Sequence, residues 1–148
     1  NISGYKIIGS DKDILDYYDE NNFFLITIGQ IYNSELRKKY FNMNLNLATV
    51  ISPRSYISKK SKILEGSIIM HDVVVNSGAH IGKNCIINTK SIIEHDVVVG
   101  NNCHISTGAI INGSVTIGDD SFVGSGSITK HSIVIQKKSF IKANSLVK

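Results

Sequence analysis

The stretch Ile81-Gly82-Lys83-Asn84-Cys85-Ile86-Ile87-Asn88-Thr89-Lys90-Ser91-Ile92-Ile93-Glu94-His95-Asp96-Val97-Val98-Val99 carries an aliphatic residue at 81, 87, 93 and 99, one every sixth position. Extended in both directions, this step runs from Ile51 to Val147 and meets Ile or Val at sixteen of seventeen places, Thr129 being the exception. The fifth place of each hexad, from Ser55 through Ala79, Cys85 and Ser91 to Ser145, is small or valine at fifteen of sixteen places, Ile133 standing apart. A period of six belongs neither to a helix nor to a flat strand. It predicts a short strand with one aliphatic pointing inward, then a corner whose inner position accepts only a small residue. Three hexads close a triangular coil, and successive coils pair in parallel about 4.8 Å apart. Sixteen hexads give about five coils, each burying its aliphatic row against the next, so stability accrues coil by coil. Cys85 and Cys103 are three hexads apart, which places both at one inner corner as reduced, apolar filler; stacking alone does not supply disulfide geometry.

The chain before residue 50 is of another kind. None of the eleven valines lies in 1–49, yet eight of the eleven Tyr and Phe do. Tyr5-Lys6-Ile7-Ile8 reads as a strand, and Ser10 or Asp11 caps a helix carrying Ile14, Leu15 and Tyr18. Phe23-Phe24-Leu25-Ile26-Thr27-Ile28 reads as a second strand ending at Gly29, and Ser34 to Phe41 as a second helix. The expectation is therefore a mainly β chain: a short, truncated α/β (βαβα) unit over 1–49, opening at Asn1 without an initiator methionine, then a β-helix over 50–148. A unit this short needs something to pack on. Gly29, at a strand terminus of an open α/β unit, stands where ligands commonly bind.

Composition narrows the functional classes. The net charge of +4 arises from 16 Lys and Arg against 12 Asp and Glu scattered along the chain, which argues against nucleic acid as a partner. No apolar run reaches the ~18 residues of a membrane span, and no basic segment with a hydrophobic stretch opens the chain. The chain reads as soluble and cytoplasmic.

The hexads Ile81-Gly82-Lys83-Asn84-Cys85-Ile86 and Ile117-Gly118-Asp119-Asp120-Ser121-Phe122 resemble those of the left-handed β-helix acyltransferases. Within that superfamily, the stretch 86–96 followed by Val99-Gly100-Asn101-Asn102-Cys103-His104-Ile105-Ser106 resembles the sialic acid O-acetyltransferase and bacillosamine/perosamine N-acetyltransferase group. The resemblance covers essentially the whole chain, including Gly4-Tyr5-Lys6-Ile7-Ile8-Gly9-Ser10 and Ile26-Thr27-Ile28-Gly29. It implies the left hand of the coil, acetyl-CoA as co-substrate, a nucleotide-linked amino sugar or a sialic acid as acceptor, and a homotrimer with intersubunit active sites. Two departures stand out: the glycine- and histidine-containing loop with which the group opens has no counterpart before Gly4, and the Gly-x-Pro-Ala-Lys segment common elsewhere in the superfamily does not occur.

Coil arithmetic places one outer corner at Ser77, His95, Gly113 and His131 in successive coils. Gly113 leaves space above His95, and its N–H is a candidate donor to a thioester carbonyl, so base and oxyanion donor share a corner. Glu94 and Asp96 flank the histidine, and a neighbouring carboxylate stabilises an imidazolium as it forms. The resemblance assigns this tuning role to Asp96. It also assigns coenzyme contacts to His104, Ser125 and Ala143, and acceptor contacts to Asn88 and Gly29. His71 stands in an echo of the His95 segment four hexads earlier; four is not a whole number of coils, so it falls at a different corner. It reads as structural or surface, as does His80. Lys130, Lys137 and Lys138 fit coenzyme phosphates or a solvated charge run equally well.

The leading function is transfer of an acetyl group to the amino group of a nucleotide-activated amino-deoxysugar, with His95 as base and no covalent enzyme intermediate. The alternatives are O-acetylation of sialic acid and a catalytically impaired β-helix scaffold. A trimeric β-helix carbonic anhydrase would need three zinc-binding histidines, and the spacing of 71, 80, 95, 104 and 131 does not suggest them, so no metal is expected.

Overall fold

A computed structural model describes residues 1–148. From Val50 to Val147 the chain forms seventeen two-residue strands, each paired in parallel with the strand three places along, as in Ile68 with Ile86, Ile86 with His104 and His104 with Phe122. They make three faces of a left-handed parallel β-helix of about five coils. The first face contains Ile86–Ile87, His104–Ile105, Phe122–Val123 and Phe140–Ile141. The second contains Val74–Val75, Ile92–Ile93, Ile110–Ile111 and Ile128–Thr129; the third, His80–Ile81, Val98–Val99 and Thr116–Ile117. The second residue of each strand points inward, and in the middle coils Ile81, Ile87, Ile93, Ile105 and Ile111 are wholly buried. The small corner residues Ala79, Cys85, Ser91, Cys103 and Ala109 fill the interior between them.

Each coil turns three times, and from Gly66 to Asn144 every sixth residue stands in the left-handed backbone region at a turn. Most of these are Gly, Asn or Asp, the residues that enter this region at least cost. Both cysteines are free and buried. Burial, and then the hydrogen bond with Cys103, push the Cys85 thiol well above its ordinary range, so it packs as a neutral group.

The N-terminal segment departs from the βαβα expectation. Helices form where expected, as a 3-10 helix over Asp11–Tyr17 and an α-helix, α1, over Glu35–Phe41. The Asp13 carboxylate accepts from the backbone N–H and hydroxyl of Ser10 and so starts the first helix. The two strands do not form: Tyr5 makes an isolated bridge with Ile2, and Phe24 a single parallel bridge with Leu47. A strand needs a neighbouring backbone to pair with, and none lies beside Tyr5–Ile8, all of which are exposed. In the second stretch, the carbonyls of Ile26 and Ile28 accept instead from the Arg37 guanidinium.

Arg37 is the clamp between the two parts. It is 1% exposed and also donates to the carbonyls of Gly66 at 3.1 Å and Asn84 at 3.5 Å, both in the β-helix. Burial pulls its basicity down from the usual arginine value, yet carbonyl oxygens on several sides satisfy the fork. Removing it leaves those carbonyls buried without donors. Arg37→Ala is expected to cost about 3 kcal/mol in urea denaturation, and to raise amide exchange over residues 23–34 while the middle coils stay protected.

Candidate functional site

The corner after Ile92–Ile93 brings together His95, Asp96 and Gly113. Asp96 takes the left-handed conformation (φ 59°) that turns the chain there, and its Oδ2 accepts from His95 Nδ1 at 2.9 Å. That bond fixes the tautomer: with the proton held on Nδ1, the lone pair is on Nε2. Gly78, one coil earlier, lies beneath Asp96, and a side chain there would collide with the carboxylate. Glu94, the other flanking carboxylate, is occupied by Asn76, whose amide donates to it at 2.9 Å.

Gly113 lies over the imidazole. A Cβ on it would sit 2.5 Å from His95 Nε2 and 2.7 Å from Cε1, so only glycine fits beside the ring in this position. The backbone on either side is held in register, Ser114 donating to the His95 carbonyl at 2.9 Å and Ser132 to the Gly113 carbonyl at 3.0 Å. The Gly113 N–H itself has no acceptor within the chain. A base with its lone pair on Nε2 and an unpaired N–H beside it make a corner suited to acyl transfer, in which a nucleophile loses a proton while a carbonyl oxygen gains negative charge. The corner is open: the His95 and Asp96 side chains are 55% and 66% exposed.

The remaining expected residues lie elsewhere. Asn88, His104, Ser125 and Ala143 gather along and beside the edge between the first and second faces, whereas His95 stands on the edge between the second and third. Asn88 Nδ2 lies 3.2 Å from His104 Nε2, and Ser125 shares a hydrogen bond of 2.9 Å with Ser106. Ala143 follows Ser125 one coil later, and its backbone packs so closely on Gly124 that a side chain at Gly124 would strike it. Gly29 is exposed and open, with no atom near where a side chain would begin. His71 bonds to Ser52 at 2.7 Å, away from the His95 corner. No three metal-ligating side chains converge.

His104 is more deeply engaged than its outward strand position suggests. Segment 30–34 folds over it, Nδ1 donates to the Gln30 carbonyl, and Phe122 meets it edge-on at 5.2 Å. Gln30 Nε2 in turn donates to the Asn102 carbonyl at 2.8 Å, while Ser34 and Lys38 both reach Asp120 at 3.2 Å. The cleft under this segment measures about 50 Å³, room for a water or two and not for a sugar. Gln30, Arg37 and Asp120 do not stand out in the sequence, although an arginine among the apolar positions of a short helix signals a buried partner.

Known proteins bear on this geometry. The family of bacterial transferase hexapeptides (six repeats) matches residues 78–113, and the hexapeptide repeat of succinyl-transferase matches 114–148. No curated protein sequence matches the chain. The acetyltransferase domain of PglB from Neisseria gonorrhoeae FA1090 superposes with a TM-score of 0.92 at 22% identity, covering 99% of this chain and 72% of that one, a likeness of fold. Its complex with acetyl coenzyme A gives 0.87 at 24% identity, covering 99% and 74%. PerB from Caulobacter crescentus, in complex with CoA and GDP-perosamine, gives 0.73 at 27% identity over 78% of this chain and 56% of that one. The repeat and the fold are thus those of solved β-helix acetyltransferases. Over residues 78–148 the chain carries the hexapeptide repeat.

Gly113→Ala should displace the His95 ring and lower turnover about a hundredfold, with an unchanged melting temperature, checked by steady-state kinetics beside calorimetry. For His104, burial first, joined by the nearby Arg37 charge and opposed by the Gln30 carbonyl, depresses the ring below the ordinary value of 6.5. The unfolded chain then takes up this proton before the folded one. The stability it supports is full above pH 6.5 and falls as pH drops through that value toward the depressed folded value. Denaturation of wild type and His104→Asn above and below pH 6.5 should show this loss in wild type and a flatter profile in the variant.

Proposed function

We propose that the protein transfers an acetyl group from acetyl-CoA to the amino group of a nucleotide-activated amino-deoxysugar in the cytoplasm, with His95 as general base. In this reading residues 50–148 are the acyltransferase domain and residues 1–49 a partial nucleotide-sugar-binding unit. The carrying observation is the close approach of Gly113 to His95, where the missing Cβ lets a backbone with an unpaired N–H sit against the imidazole.

The neutral acceptor amine attacks the thioester carbonyl carbon and forms the new C–N bond. His95 Nε2 takes the proton that the amine loses, and Asp96 stabilises the imidazolium. The Gly113 N–H donates to the carbonyl oxygen as it becomes an oxyanion. The C–S bond then breaks, and the thiolate leaves with the proton returned by His95, giving the amide and free CoA. No acyl-enzyme is needed.

We further propose a homotrimer with intersubunit sites, the His95 edge of one copy facing the Asn88, His104, Ser125 and Ala143 edge of the next. Support comes from the second face, which lies between those two edges. Its outward row, Tyr56, Val74, Ile92, Ile110, Ile128 and Leu146, is apolar throughout, with Tyr56 and Leu146 60% and 62% exposed. An apolar stripe of this kind marks a surface that packs against protein. In such a trimer His104, Ser125 and Ala143 line the coenzyme side, with Asn88 toward the acceptor and Gly29 toward its nucleotide.

Release of free CoA from acetyl-CoA should depend on a nucleotide 4-amino sugar and vanish in His95→Ala. Release with free sialic acid instead would establish the O-acetyltransferase alternative. Absence of both release and acetyl-CoA binding would overturn the reading in favour of a scaffold.

A further inference from the structure

The inward row is aliphatic everywhere except at Thr129, which is 1% exposed. Elsewhere along the β-helix, the residue after each inward residue donates its N–H to the carbonyl of the inward residue one coil later. Glu94 donates to Ile111 at 2.9 Å, Gly100 to Ile117 at 2.8 Å and Lys130 to Val147 at 2.8 Å. Asn112 breaks this rule. Its N–H goes to the Thr129 hydroxyl at 2.9 Å, and its own side-chain amide takes the Thr129 carbonyl left over. The parallel pairing accordingly stops at Ile110 with Ile128, whereas one coil earlier both Ile110 with Ile92 and Ile111 with Ile93 are paired.

This irregularity immediately precedes Gly113. A backbone-to-backbone rung has been replaced by two bonds routed through side chains. Ile and Val offer no acceptor and would leave the ordinary rung in place. Local breaks in strand pairing re-aim neighbouring groups and are common beside active sites. Resting on the acyl-transfer reading above, we propose that Thr129 is a positioning residue: by capturing the Asn112 N–H it sets the Asn112–Gly113 peptide so that the Gly113 N–H faces the acyl group above His95. Thr129 touches no substrate and acts through Asn112.

The test compares Thr129→Val, Thr129→Ser and Asn112→Ala with wild type in kinetics, melting temperature and the amide resonances of Asn112 and Gly113. Thr129→Val supplies the side chain used elsewhere in the row, so it should melt no lower than wild type. Its two amide resonances should shift, and its kcat should fall about tenfold to a hundredfold with little change in KM for acetyl-CoA. Thr129→Ser keeps the hydroxyl and should retain wild-type kcat and amide positions despite a lower melting temperature. Asn112→Ala frees the Thr129 carbonyl for the ordinary rung and should shift Gly113 in the same sense; it also serves as the reading if Thr129→Val fails to fold. Wild-type kcat in Thr129→Val, or an unmoved Gly113 amide in that variant or in Asn112→Ala, overturns the proposal. Should wild type itself release no CoA with any acceptor, the acyl-transfer reading fails, while the Gly113 amide still decides whether Thr129 positions that peptide.

Discussion

The structure depends on one constraint: every coil must return its chain to the same place after three hexads. An inward aliphatic then always lands on an inward aliphatic, and the close packing of Ile69, Ile87, Ile105 and Val123 in one file follows. A coil one residue longer would turn the next strand's apolar side chain outward. The same register governs the surface. Residues three hexads apart are stacked neighbours, so a carboxylate at Asp96 requires a glycine at Gly78, and an imidazole in the observed position of His95 requires one at Gly113. The site is thus specified vertically, through residues remote in sequence, as strictly as the core is.

Attachment of the N-terminal segment follows other physics. Tyr32 stacks on Phe140 of the coils at 5.0 Å, and beside this contact the junction is polar, with Arg37, Gln30, Ser34 and Lys38 reaching carbonyls and a carboxylate of the coils. A buried guanidinium with only carbonyl partners carries a desolvation cost that apolar packing would not, and it returns geometric specificity, because the planar fork accepts few arrangements. His104 extends this junction: held neutral by burial, it donates to Gln30 with one nitrogen and meets the Asn88 amide with the other.

The β-helix was legible because close packing restricts one position in six to Ile or Val and another to small residues. The turns were legible as well, since most of the left-handed positions are Gly, Asn or Asp. The stacking of Gly113 on His95 followed from the three-hexad step, and the choice of Asp96 over Glu94 from the resemblance. The strands expected at Tyr5–Ile8 and Phe23–Ile28 did not follow, because an apolar run predicts a strand only if a neighbouring backbone can pair with it. Here Arg37 claims the carbonyls of the second run. The surroundings of His104 were out of reach for a related reason: its partner Gln30 lies 74 residues away, in a segment without the repeat's register.

Thr129 shows what an exception within a strict repeat can mean. In a row whose other sixteen places hold Ile or Val, a buried hydroxyl removes apolar surface and requires a hydrogen-bond partner. Had Thr129 bonded within an intact ladder, it would be a tolerated defect. It draws instead on the backbone of Asn112, undoing the rung next to the one glycine that faces the His95 ring. A regular solenoid builds every corner alike, and on the acyl-transfer reading proposed above the His95 corner has to differ from its neighbours. A side-chain acceptor in the core provides that difference without disturbing the coils before or after, since Glu94 and Lys130 keep their rungs.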